Sequence, residues 1–311
     1  MVKASLFVLT LGIFLFGMYL VRTGLFNLSA AKLKQRLATL TDKPWKGLLL
    51  GVVVTGILQS SSAVSIIVIG LVAGRMLQFS QSIGIILGAN IGTTVTTEII
   101  TLNIDLLIIP MAIIGGMLML SKRNNIRNIG MALFGVAAVF GAMFGFEKLA
   151  TPFAEMEFME RVFYFINNNL FYAVIAGIIV CAIIQSSTTT TALAMSFIAV
   201  GVIDLNTAIA IVLGSNIGTC LDAWVASIGS GREAKLTVWS HIWLNVLGVI
   251  VFFPFIGVLA KIGMMLAERP EVQVAHVSVI FNVVCSLLML PFTNKFANFI
   301  IKIHGRKPRA S

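Results

Sequence analysis

The chain has 311 residues, 58% of them hydrophobic and 11% charged, with a mean hydropathy of +1.00. That balance excludes a soluble domain with a large core and fixes the class as an integral membrane protein. The net charge of +10 carries no nucleic-acid signal, because the basic residues fall in short connections and at the C-terminal end, where they face an anionic cytoplasmic leaflet.

In chain order the sequence predicts nine apolar segments, at about 4–26, 47–74, 81–101, 104–120, 128–146, 171–201, 207–228, 237–260 and 274–300. The first is a spanning helix and not a removed signal peptide, since it lacks a small-residue cleavage site and continues to Leu20. Between the first two, Leu28 to Asp42 sets Leu33, Leu37 and Leu40 at helical spacing beside Lys32, Lys34 and Arg36, which predicts an interfacial helix with a basic polar face. Its counterpart, Phe153 to Ile166, aligns Met156, Met159, Phe163 and Ile166 but carries Glu155, Glu157 and Glu160. The sign of charge has flipped. Cys181, Cys220 and Cys285 lie in apolar segments, so neither a disulfide frame nor a zinc site is expected.

Two polar knots interrupt the apolar runs. Gln59-Ser60-Ser61-Ser62 recurs 126 residues later as Gln185-Ser186-Ser187-Thr188, followed by Thr189. Each Gln is followed, 29 residues on, by a second motif, G-A-N-I-G-T-T from Gly88 to Thr94 and G-S-N-I-G-T-C from Gly214 to Cys220. Such identities at one fixed offset make the chain an internal duplication. Leu15 to Met18 resembles Val139 to Ala142 at an offset of 124. The repeats are therefore 1–127 and 128–260, with a final transmembrane helix and basic cytoplasmic tail over 261–311.

The connections after segments 1, 2, 4 and 7 and the C-terminal tail carry the basic excess and are predicted cytoplasmic. Segment 2, 47–74, must then enter and leave on one face as a re-entrant hairpin. Its arms of about 13 residues, roughly 20 Å each, are too short to cross about 30 Å of hydrocarbon. Segment 6, 171–201, is the matching hairpin from outside. Three crossings per repeat invert one copy relative to the other. The expected fold is an all-α polytopic membrane protein of two inverted-topology repeats, each with a re-entrant hairpin carrying a Q-S-S-S/T tip and a helix broken at Gly88 and Gly92, or at Gly214 and Gly218.

A hairpin tip at the midplane exposes free N–H groups that favour anions and free carbonyls that favour cations. Asn90, Thr93, Asn216 and Thr219 add oxygen donors, and oxygen ligands without carboxylates suit a weakly bound monovalent cation such as sodium. An isolated membrane Ser most often bonds back to its own helix, but clustering and duplication at the tips favour a ligand role. No apolar segment carries a Lys or Arg near its centre, so bound sodium is expected to supply the counter-charge an anion needs. Glu98 and Asp222 are the acidic residues deepest in segments, and their roles stay open, as does that of His276. His241 and Asn245 share a helix face and read as a structural pair.

With these motifs, the opening I-F-L-F-G-M from Ile13 to Met18 and the later His-and-Asn segments, the sequence resembles the type II sodium/phosphate cotransporter family in its compact bacterial form, without a C-terminal PhoU-like domain. The resemblance implies sodium-coupled movement of inorganic phosphate across the cell inner (plasma) membrane, through a site between the hairpins. No cofactor is implied beyond sodium as co-substrate, and no enzymatic activity. The substrate- and sodium-binding residues would be Gln59, Ser60, Ser61, Ser62, Asn90, Thr93, Thr94, Gln185, Ser186, Ser187, Thr188, Thr189, Asn216 and Thr219. Partners would be phosphate, sodium and the bilayer, with homo-oligomerisation left open. Cys220 departs from the pattern, standing where Thr94 stands in the first copy.

Two alternatives stand beside this. A sodium-coupled carrier of another small anion, a dicarboxylate or acidic amino acid, would use similar hairpins, but segments 7 and 8 offer no buried Arg for its substrate. An intramembrane serine hydrolase using His241 or His276 is weaker, since no nucleophile elbow surrounds any Ser.

Overall fold

The computed structural model describes residues 2–39, 41 and 43–305, without the side chains of 30–39. All its regular elements are helical: α1 (Val2–Thr39), α2 (Pro44–Leu58), α3 (Ser61–Ala73), α4 (Phe79–Ile100), α5 (Asp105–Met119), α6 (Asn124–Ala154), α7 (Glu157–Asn168), α8 (Leu170–Ile184), α9 (Ser187–Ala199), α10 (Leu205–Gly218), α11 (Cys220–Ala226), α12 (Arg232–Phe252), α13 (Ile256–Leu266), α14 (Pro270–Met289) and α15 (Thr293–His304). Among the described residues, six stretches are long and apolar enough to cross a membrane: Val2–Ser29, Phe79–Ile100, Asn124–Ala154, Leu205–Ala226, Arg232–Leu266 and Pro270–His304. The protein is an all-α polytopic membrane protein, as its composition requires.

Between these lie shorter pairs. With 15 and 13 residues, α2 and α3 reach only about 22 and 20 Å at 1.5 Å per residue. Close approaches fix their direction: Gly84 meets Pro44, Gly88 meets Leu48, and a Cβ on Gly92 would stand 2.6 Å from that of Thr55. Hence α4 runs parallel to α2, and α3 brings the chain back between them. The second half repeats the arrangement, with Gly214 against Val174 and Gly218 against Ile178 as α10 runs beside α8. The first helices of the halves, α1 and α6, cross antiparallel: Gly17 meets Gly135 and Gly24 meets Asn128.

These contacts correct one expectation. α4 runs unbroken through Gly88 and Gly92. Its glycines are there because backbone of the neighbouring hairpin arm occupies the place of a side chain. A short interruption does occur in the second half, at Thr219 between α10 and α11, one residue beyond Gly218.

The basic segment expected over 28–42 continues α1 as helix to Thr39, while Leu40, Asp42 and the side chains of Lys32, Leu33, Lys34, Arg36 and Leu37 lie outside the described residues. Its acidic counterpart is the separate helix α7, whose Phe163 and Ile166 are buried and whose Met159 packs on the core. The end of the chain is more elaborate than one appended helix. Single 3-10 turns, Phe253–Phe255 and Leu290–Phe292, join α12 to α13 and α14 to α15. The two units correspond at an offset of 37, with Asn245 matching Asn282 and Pro254 matching Pro291. α12 packs on α3, α4 and α10, and α14 packs on α9, α10 and α4, so each unit is set against both halves.

An added methyl at Gly88 or Gly214 would collide with the carbonyl of Leu48 or Val174. Overpacking of this kind costs roughly 1–3 kcal/mol, about 5 °C in melting temperature. Gly88→Ala and Gly214→Ala are therefore expected to melt earlier in detergent, whereas Gly70→Ala, whose Cβ would meet nothing within 4 Å, should not. Equal melting of all three would contradict the close packing.

Candidate substrate site at the paired helix breaks

The two knots adopt one backbone conformation. Gln59 (φ 53°, ψ 30°) and Gln185 (φ 57°, ψ 35°) are left-handed, and each N–H still bonds back 2.7 Å to the carbonyl of Thr55 or Cys181. The following serines are extended, Ser60 at φ −157° and Ser186 at φ −154°. Each caps the next helix through its side-chain oxygen, Ser60 accepting from Ala63 N at 3.1 Å and Ser186 from Thr189 N at 3.3 Å. Ser is a favoured residue for this role because its short hydroxyl reaches an otherwise orphan N–H. Helical geometry leaves the N–H groups of Ser61 and Ser62, and of Ser187 and Thr188, without intrahelical acceptors. Each break therefore presents amide donors and the positive end of a helix dipole, an anion-binding arrangement.

Arg22 of α1 joins the two breaks. Its Nε donates to the carbonyl of Gln59 at 3.1 Å and its Nη2 to Ser186 Oγ at 3.3 Å. Sequence reading had set Arg22 near the end of an apolar run and so missed it. An ionisable side chain in the run Leu15 to Phe26 was the available signal.

The breaks otherwise differ. Gln59 is buried; its Nε2 donates to Gly56 O and its Oε1 accepts from Thr96 Oγ1. Gln185 is exposed. Asp222 of α11 stands 126 residues from Thr96 and accepts a short hydrogen bond from Ser62 Oγ.

A second polar group surrounds a small cavity about the size of one water or ion. Thr93, Thr94 and Thr97 of α4 meet Ser187, Thr188 and Thr191 of α9, with Ser215 and Asn216 of α10 and Ser278 and Asn282 of α14. Thr93 and Thr94 donate to the carbonyls of Ala89 and Ile91, and Asn216 to Val212 O. Their oxygens keep free lone pairs. Sequence reasoning did not count Thr97, Thr191, Ser215, Ser278 and Asn282 among the binding residues, although Ser215 lies inside the second of the paired motifs and Asn282 in the later His-and-Asn segments.

Other expected residues lie apart from this cavity. Asn90 Nδ2 bonds Asn245 Oδ1 at 3.0 Å, tying α4 to α12, and Thr219 is buried at the α10–α11 junction. Thr189 Oγ1 donates to Ser186 Oγ at 2.9 Å, and Ser61 is buried at the first break. Asn245 bonds the backbone carbonyl of His241 at 3.1 Å, while both His241 ring nitrogens are buried without a partner among the described residues. His276 Nδ1 pairs with Glu98 at 2.9 Å, linking α14 to α4.

Comparison with known proteins places this geometry in a family. The chain is 39% identical over 287 residues to the uncharacterized protein YqeW of Bacillus subtilis, covering 92% of this chain and 94% of that one. It is 25% identical to the "Putative inorganic phosphate export protein YjbB" of Escherichia coli K12 over 94% of this chain, which spans only 54% of that protein. A 61-residue stretch is 44% identical to the sodium-dependent phosphate transport protein 2A of Ovis aries, covering 20% of this chain and 10% of that one. No solved structure matches. Residues 13–148 and 147–289 each match the family model described as Na+/Pi-cotransporter, and the chain belongs to that family.

Proposed function

We propose that the protein is a sodium-coupled carrier of inorganic phosphate that binds its anion between the two helix breaks. Hairpins α2–α3 and α8–α9 would then be re-entrant from opposite faces, with the C-terminus cytoplasmic and access alternating about the tips. The observation that carries this reading is Arg22, whose guanidinium reaches both breaks at once. The family match supports phosphate and sodium as the transported species.

Charge explains the coupling. Phosphate carries between about −1 and −2 charges near neutral pH. Two helix N-termini supply about +0.5 each and Arg22 one more, but Asp222 takes one back. Sodium is thus no longer the only counter-charge beyond the two helix N-termini, as the sequence had suggested; it completes a balance in which Arg22 and Asp222 nearly cancel. Binding of the two ions is then mutually favourable, each tightening the other by the same factor. Arg22 also supplies the cation that segments 7 and 8 lack, so selectivity between phosphate and dicarboxylates rests on the paired amide cradles. Among the described residues, neither His241 nor His276 is hydrogen-bonded to a serine through its ring.

In proteoliposomes, radiolabelled phosphate uptake should require a sodium gradient and be competed by unlabelled phosphate but not by succinate or aspartate. Equal flux in potassium would sink the coupling, and competition by succinate would move the substrate to dicarboxylates.

Replacing Arg22 should weaken phosphate binding. A hydrogen bond to a charged group is worth about 1.5–3 kcal/mol, so Arg22→Gln is expected to raise the phosphate dissociation constant roughly 10- to 150-fold in calorimetric titration at saturating sodium. Arg22→Lys should recover part of this, since it keeps the charge but not the fork. Unchanged affinity in both variants would leave Arg22 a purely structural tie.

A further inference from the structure

The two halves repeat one backbone, so a polar group present in only one of them requires its own explanation. At 126 residues' separation, Thr96 and Asp222 occupy matching places, one on α4 and one on α11. Thr96 has a complete role as the donor to Gln59 Oε1. Asp222 does not. Its Oδ2 accepts from Ser62 Oγ, but its Oδ1 is shielded from solvent and has no hydrogen-bond partner among the described residues.

A half-buried carboxylate with an orphan oxygen is costly unless a cation completes it. Among the described residues, Arg22 is the cationic side chain whose charge acts on Asp222, yet it forms no ion pair there; its Nε and Nη2 bond Gln59 O and Ser186 Oγ. The other titratable groups around Asp222 are the thiols of Cys181 on α8 and Cys220, which carry no positive charge. Among the described residues, no Lys, second Arg or His completes the set. The hydroxyl of Ser62 donates to Oδ2 and keeps its lone pairs, so carboxylate and hydroxyl oxygens stand together at the first break.

We propose that Asp222, with Ser62, forms a monovalent-cation site at the first helix break, occupied by sodium and separate from the hydroxyl- and amide-lined cavity beside Thr93 and Ser187. One carboxylate with hydroxyl and carbonyl oxygens favours a weakly held monovalent ion over calcium or magnesium, which take more carboxylates or a full octahedral shell. The site joins the cation to Ser62, whose backbone N–H belongs to the anion cradle, and this links the two substrates. The proposal rests on the sodium-coupled reading above.

The test is sodium titration of the purified protein in detergent without phosphate, with choline chloride as control, at pH 6 and pH 8. Asp222→Asn keeps the shape and the acceptor for Ser62, and Asp222→Thr installs the residue that the first half has at this place. Ser62→Ala, which leaves the carboxylate, guards against misfolding. Both Asp222 variants should lose at least tenfold in sodium affinity, with Ser62→Ala intermediate and wild-type affinity nearly equal at the two pH values. Unchanged sodium affinity in both Asp222 variants would overturn the site. Sodium affinity unchanged while a pH dependence of phosphate flux disappears in Asp222→Asn would make the occupant a proton and overturn sodium. Because no phosphate is present, sodium binding that depends on Asp222 stands even where phosphate flux is absent, an outcome that would sink the transport reading alone.

Discussion

A helix interrupted inside an apolar bundle leaves amides and carbonyls that no solvent can satisfy, and the structure is organised around meeting that demand twice. Each break keeps one hydrogen bond back into the first arm through its left-handed Gln and starts the second arm under a Ser cap. What the caps cannot reach is the next two N–H groups, which the proposed function gives to the anion. The demand extends outward: the arms are held in place by α4 and α10, whose glycines let backbone lie against backbone, and those helices are braced by α12 and α14. Rigidity around the breaks is what would let two unsatisfied helix starts serve as the proposed anion cradle rather than a defect.

Much of this was legible in the sequence. The duplication, the positions of both breaks and the shortness of the arms follow from motif spacing and from the length an apolar helix needs to span a bilayer. Three features were not. Arg22 fell at the edge of a hydropathy window, and only the continuation of α1 to Thr39 makes position 22 interior to its helix. Gly88 and Gly92 fit a break or a close contact equally well in one dimension; the choice depends on whether a neighbour's carbonyl occupies the Cβ position, which is a tertiary fact. The kinship of α12–α13 with α14–α15 was hidden by its short offset, which cuts across the longer repeat, although the paired Pro254-Phe255 and Pro291-Phe292 mark it.

The site residues divide in the same manner. Those that define backbone, Gln59, Ser60, Gln185 and Ser186, were found because chain geometry is written in local motif. Those that line the cavity from α14, Ser278 and Asn282, were not, because a single polar residue on an amphipathic helix says nothing about what it faces. Asn90 and Asn216 illustrate the limit within the motif itself. They hold equivalent positions, yet Asn90 is drawn to Asn245 while Asn216 stays on its own helix beside the cavity.

Duplication gives two equal cradles, and two equal cradles do not by themselves couple one ion to another. In the proposed mechanism the departures from symmetry supply that. Arg22 stands at the place taken in the second half by the fully buried Phe146, and Asp222 at the place taken in the first half by Thr96. One cation and one anion have thus been added to a neutral symmetric frame, each contributed by a different half and both acting at the first break, where Arg22 binds Gln59 O and Ser62 binds Asp222. Because the pair is nearly neutral, the empty site is not burdened with a large buried charge. Because its members are held apart by separate partners, each would, in the proposed mechanism, meet an ion of the opposite sign, and binding of either ion would change the field felt by the other.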